Sequence, residues 1–185
     1  ASIIVDPQTE VVAHPRAISI GVRSMEHFRR LGLDQKAIDA GVPRDQALDV
    51  VYVTRMLGRE IFRFRIPSID DLVAKRAELA AQIPETAASP YYKTWTAQAP
   101  LERMLRAHLR DDTLVDLRLG WRLESFGENA DGVETVISDA NGCRENLRVA
   151  YLAGCDGARS AVRTHLGVAL EGRGTLGAAL GLYFR

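Results

Sequence analysis

The sequence predicts an α/β protein, and three observations carry the prediction. The chain opens on a β-branched run, Ser2-Ile3-Ile4-Val5, that ends in Asp6-Pro7, the pattern of a parallel strand and its exit. Residues 114–153 read as successive strands separated by turn signals. At residues 151–163 a short apolar run, Tyr151-Leu152-Ala153, gives way to Asp156-Gly157 and then to an arginine-bearing helix start. This order puts an acid, a flexible turn and the guanidinium groups of Arg159 and Arg163 at the carboxyl end of a strand. Open α/β sheets take their ligands there. Gly157 suits the backbone of such a turn, and amides at the new helix terminus favour a phosphate.

Composition bounds the function. The chain has 185 residues, enough for one sizeable core or one domain plus part of another. Lys+Arg and Asp+Glu both number 24, so no global basic field recruits nucleic acid and no acidic tail recruits a basic partner. Hydrophobic residues make up 46%, a globular proportion. No apolar run approaches the roughly 20 residues that span a membrane, and no signal-peptide pattern opens the chain. Cys143 and Cys155 form no disulfide framework or metal spacing and read as reduced thiols in a cytoplasmic protein, with Cys155 packed at a strand end. His14, His27, His108 and His165 show no ligand spacing, so no metal site is expected.

Asp6 closes the first strand. An acid there hydrogen-bonds ribose hydroxyls in dinucleotide-binding folds, or serves as a turn or cap residue. A helix follows with Ser24 as its N-cap, Met25, Phe28 and Leu31 as its apolar stripe, and Gly32 as its stop. Residues 50–54 and 60–66 alternate around Gly58-Arg59 as an antiparallel hairpin with one apolar face and a wet face of arginines. Residues 68–83 read as a helix packing through Leu72, Val73, Leu79 and Ile83, and 84–90 as a loop. Gln98 sits just ahead of a helix that carries Pro100 in its first turn and a stripe of Leu101, Met104, Leu105 and Leu109. A glutamine both donates and accepts, which suits ribitol or phosphate oxygens; it serves equally as a polar loop residue.

From residue 114 the chain reads as a three-stranded meander over 114–126, 133–139 and 144–153. Its turns are Asn129-Ala130-Asp131-Gly132 and Asn141-Gly142. Trp121 either stacks on a ring or packs. Gly172-Arg173-Gly174-Thr175-Leu176-Gly177 fits Gly-x-Gly-x-x-Gly literally, but the eight residues after it hold neither a βαβ unit nor its acid. A crossover between domains is the better reading.

The segment Asp156-Gly157-Ala158-Arg159-Ser160-Ala161-Val162-Arg163 resembles the Asp-Gly fingerprint of the FAD-dependent aromatic hydroxylases, the single-component flavoprotein monooxygenases of the para-hydroxybenzoate and phenol hydroxylase kind. Pro15-Arg16-Ala17 leading to Arg23-Ser24-Met25-Glu26 and Leu31-Gly32 resembles a second landmark of that family, and Gln98 ahead of Leu101-Glu102 a third. The resemblance implies an incomplete FAD-binding Rossmann-like domain with a three-stranded antiparallel meander, plus part of a mixed-sheet substrate domain. Residues 1–49 and 95–170 would form the first, and 50–94 and 171–185 the second. It implies that Asp156, Gly157 and Arg163 touch FAD and NADPH. Arg16 would lie by the flavin, with Arg23 a weaker candidate. Gln98 would contact FAD, and the backbone at Leu123 would approach the adenine.

The resemblance implies that the chain corresponds to an internal portion of such an enzyme. The family's Gly-x-Gly-x-x-Gly unit falls before Ala1 and its Gly-Asp segment after Arg185, so this chain alone is expected to bind FAD weakly and not to turn over. The activity implied is hydroxylation of a phenol or other aromatic by oxygen, through a flavin hydroperoxide, with NADPH or NADH as reductant. No catalytic side chain is assignable. A related FAD-dependent reductase or halogenase, and a non-catalytic remnant binding a nucleotide or a partner, are the alternatives. The implied partners are a small aromatic substrate, molecular oxygen, and a second copy or a complementing chain segment.

Overall fold

The computed structural model describes residues 1–11, 17–84, 88–174 and 177. Its first elements are β1 (Ser2–Asp6), β2 (Ser19–Ile20), α1 (Val22–Arg30), α2 (Asp34–Asp39), β3 (Val50–Val53) and β4 (Glu60–Phe64). Next come α3 (Ile69–Ala74), α4 (Arg76–Gln82), β5 (Thr94–Trp95) and α5 (Gln98–Asp111). The chain continues through β6 (Val115–Leu119), β7 (Trp121–Asn129), β8 (Gly132–Asp139), β9 (Arg144–Val149) and α6 (Ala161–His165). The result is a mixed α/β fold built on several small sheets. It divides into two compact units, Ala1–Glu10 with Leu114–Arg185, and Val11–Thr113.

In the first unit β1 pairs with β6 in parallel, Ser2 opposite Val115 and Asp6 opposite Leu119. The expected first strand is therefore present, though it is half-exposed rather than buried. Residues 114–126 are not one strand. Gly120, at φ 80, breaks them, and the two halves join different sheets. A side chain is disfavoured there twice over: the backbone is left-handed, and a Cβ would lie 3.0 Å from Thr9 Cγ2. The Gly120 N–H donates to the Asp6 carbonyl at 2.7 Å, which pins the break to the end of β1.

Beyond the break, β7, β8 and β9 form the expected antiparallel meander. Ile137 at its centre is 1% exposed. At the Asn141-Gly142 turn the Asp139 carboxylate accepts from the amides of Asn141 (2.9 Å) and Cys143 (2.8 Å). The third strand ends at Val149, short of Ala153, because residues 150–157 take no ladder bonds. The His165 ring packs at a tilt against Phe126, their centroids 4.3 Å apart, and docks α6 on the meander.

The second unit is centred on Ile20, Met25 and Ala37, with Phe28, Ile38, Tyr91, Leu101 and Met104 packed around them. α1 is capped by Gly21, not Ser24; Met25, fully buried, donates its amide to the Gly21 carbonyl at 3.1 Å and so draws Ser24 into the helix. Gly32, at φ 68, stops the chain as expected. Residues 68–83 are two short helices, because Lys75, at ψ 9, leaves helical geometry. Ser68 and Asp71 close a capping box at the start of α3. Val73 and Ile83 are exposed rather than packed. α5 begins at Gln98 itself, so Gln98 is the first residue of the helix and does not sit ahead of it, and the buried residue of α5 is Arg106, ion-paired with Glu102 at 2.7 Å.

The hairpin forms with Val50 opposite Phe64 and Tyr52 opposite Phe62. These four make the expected apolar face, yet each is exposed, Phe62 and Phe64 by 57%. Behind them Arg63 bridges Glu60 (2.7 Å) and Asp49 (3.0 Å).

Candidate cofactor site

The Asp156-Gly157 turn is held together by its own side chains. Gly154 is pressed against the helix that follows: a Cβ there would lie 2.7 Å from Val162 Cβ. Gly157, at φ 80, reverses the chain, and its carbonyl accepts from the Ser160 amide at 3.0 Å. Asp156 Oδ2 accepts from the amides of Ala161 (2.6 Å) and Val162 (3.3 Å), while Ser160 Oγ accepts from that of Arg163 (3.0 Å). Helix-start amides that lack an intrahelical partner are thereby satisfied. The Ser160 hydroxyl, with help from these amides, holds the Asp156 carboxyl below its usual range. Arg163 Nη1 folds back onto the Ala158 carbonyl at 2.8 Å.

Asp156 and Arg163 thus shape the turn they belong to. Its backbone stays open: a Cβ on Gly157 would meet nothing within 4 Å. That openness suits close approach by a dinucleotide. Cys155 lies in the ladder-free stretch and is exposed, so it does not pack at a strand end; Cys143 is exposed as well.

Asp6 stands at the carboxyl end of β1, where its Oδ1 accepts from the Gln8 amide at 2.9 Å. Leu123 lies half-buried on β7 opposite Ile137, next to a bulge before Ser125. Sequence reasoning missed Arg118. Its Nε meets Asp116 at 2.8 Å, its Nη1 meets Glu145 on β9 at 2.5 Å, and its guanidinium lies 5.9 Å from the Trp121 ring centroid. Asp116 and Arg118, two apart on one strand face, were a local signal; the reach to Glu145 was not.

Gln98 belongs to the other unit, where its amide donates to the Ala17 carbonyl at 3.1 Å. Arg16 lies outside the described residues. Arg23 pairs with Glu26 at 2.9 Å on the exposed side of α1. Asp156, Gly157 and Arg163 come together in one turn, and Asp6 and Leu123 share their unit. Of the Gly-x-Gly-x-x-Gly match, Gly172, Arg173, Gly174 and Gly177 are described and lie in no helix or strand; residues 175 and 176 fall outside. Among the described residues no group of three or more His, Cys, Asp or Glu side chains could hold a metal, and no helix is long and apolar enough to cross a membrane.

A parallel strand ending in an acid, an open glycine turn at a helix start and an appended meander make this a mixed α/β protein. The chain belongs to the FAD binding domain family, which it matches over residues 1–185. It is 35% identical over 190 residues to the tetracenomycin B2 monooxygenase-dioxygenase of Streptomyces olivaceus, covering 92% of this chain and 32% of that protein. It is 30% identical over 189 residues to the 4-methyl-5-nitrocatechol 5-monooxygenase of a Burkholderia species, covering 100% and 31%. Among solved structures it resembles the flavin-dependent monooxygenase PieE in complex with FAD and substrate, with a TM-score of 0.76, 28% identity, and 92% and 28% of the two chains covered. The chain therefore spans about a third of the length of the curated relatives it matches.

Proposed function

We propose that these residues are part of an FAD- and NAD(P)H-dependent monooxygenase that hydroxylates a phenolic or other aromatic compound. The observation that carries the reading is the Asp156–Arg163 turn, self-capped on α6 with the Gly157 backbone left open. Family membership supports FAD as the group this turn would meet. When bound, FAD supplies the electron transfer and oxygen activation that amino-acid side chains lack.

The protein's part is binding and orientation. In this reading Asp6 takes ribose hydroxyls, the backbone at Leu123 meets the adenine, and Gln98 and Arg16 contact FAD. Gly157 offers its amide, and Arg163 keeps the turn closed. Residues 1–49 and 95–170 then serve the cofactor as an incomplete Rossmann-like domain, and 50–94 and 171–185 serve the substrate. This division follows ligand contacts and differs from the two compact units. The setting is cytoplasmic, with oxygen and NAD(P)H as co-substrates. Aromatic substrates are supported by relatives named for a tetracenomycin and a nitrocatechol.

The test is to purify the polypeptide encoded by the native reading frame that contains residues 1–185. A flavin absorbance spectrum, and NAD(P)H oxidation stimulated by added phenols, are the expected results. A protein that takes up no FAD overturns the reading; one that takes up FAD but does not hydroxylate overturns the activity alone.

A further inference from the structure

We propose that Arg118 is a positioning residue: by bridging β6 to β9 it sets the strand end that carries Asp6 relative to the strand that runs into the Asp156-Gly157 turn. The inference rests on the cofactor reading above for its functional consequence, and on geometry alone for the clamp.

The β1–β6 pair and the β7–β9 meander are separate sheets. Along the chain they are joined at Gly120, a residue with no side chain to fix the angle between them. Arg118 sits opposite Val5, one position before Asp6, so its backbone belongs to the Asp6 strand pair. Its side chain leaves that sheet. One side of the guanidinium fork holds Asp116 on its own strand, and the other holds Glu145 on β9. Glu145 is opposite Ile137, the buried centre of the meander, so the acceptor stands on a fixed strand. Trp121, just past the break, lies beneath the cation. Asp116 and then Glu145 raise the Arg118 pKa further above its usual range, so the guanidinium stays charged.

The Arg118 side chain is 21% exposed and that of Glu145 43%, so the pair adds little to global stability. Its value is angular. A small misplacement of a binding group has a large effect on ligand affinity and reaction geometry when the ligand is held at several points.

The experiment uses the polypeptide of the native reading frame. R118M and E145Q should each weaken FAD binding by about fivefold in fluorescence titration, and the double variant should be no weaker than either single one, because both cut the same link. KM for NAD(P)H should rise more than kcat falls. R118K, whose ammonium reaches one carboxylate, should recover part of the loss. R122M removes an exposed arginine paired with Glu124 and should leave affinity unchanged. In all variants the unfolding midpoint should barely move.

Hydrogen exchange of the Gly120 amide, which is bonded to the Asp6 carbonyl, gives a readout independent of FAD: R118M should accelerate it. Unchanged Gly120 exchange overturns the clamp. Accelerated exchange with FAD affinity within about twofold of wild type overturns the positioning role. Failure of the wild type to bind FAD counts against the proposed function and leaves the exchange result to decide the clamp.

Discussion

Tyr91 donates its hydroxyl hydrogen to Asp34 Oδ2 across 2.5 Å, tying the first residue of α2 to the segment ahead of β5. The phenol is the main reason the Asp34 carboxyl titrates below its usual 3.8. Burial first, and Asp34 second, push the Tyr91 hydroxyl above its usual 10. Y91F should lose about 1 kcal/mol at neutral pH, read as a lower denaturant midpoint. A depressed acid stabilises above its unfolded pKa, and a raised phenol stabilises below its own. The gap between wild type and Y91F should therefore be widest between pH 3.8 and 10 and close as acid passes through the folded Asp34 value.

D156N should leave the amides of Ala161 and Val162 without a charged acceptor. Their hydrogen exchange, corrected for intrinsic rates, should accelerate while that of the meander stays unchanged. In the wild type the same protection should persist above pH 3.8 and disappear as pH falls through the lowered Asp156 value.

G120A forces a Cβ onto a left-handed backbone and toward Thr9. A loss of more than about 1 kcal/mol is expected, against a gain of up to that amount at a relaxed glycine. Thermal unfolding checks the sign.

F62T and F64T remove apolar surface that is already exposed. Stability should change by less than about 0.5 kcal/mol, while self-association measured by light scattering should fall. A large loss of stability would mean that the aromatic face is covered in the working protein.

Local chemistry made much of this fold readable. The β-branched run closed by Asp6-Pro7, the Asn141-Gly142 turn and the Gly32 stop each act within a few residues, and the structure carries all three. Errors arose where partners far along the chain decide. Residues 114–126 alternate like one strand, but the partner of the first half is Ser2–Asp6, so Gly120 must break them. Ser24 has the chemistry of a cap, yet burial of Met25 fixes the helix register. In the candidate site the Asp-Gly turn was legible because its bonds span six residues or fewer. The Arg118–Glu145 link spans 27 and leaves no periodic trace.

The parallel pairing of Ser2 with Val115 makes the first unit discontinuous, with Val11–Thr113 inserted between its two strands. During translation β1 leaves the ribosome without its partner and must wait until the whole inserted unit and β6 have been made. Folding of the inserted unit first would replace a long floppy closure with a short one, because closure entropy grows with the length of flexible chain. The order of synthesis thus favours an inserted unit that matures on its own, and a discontinuous first unit that closes only afterwards, when β6 and the meander emerge.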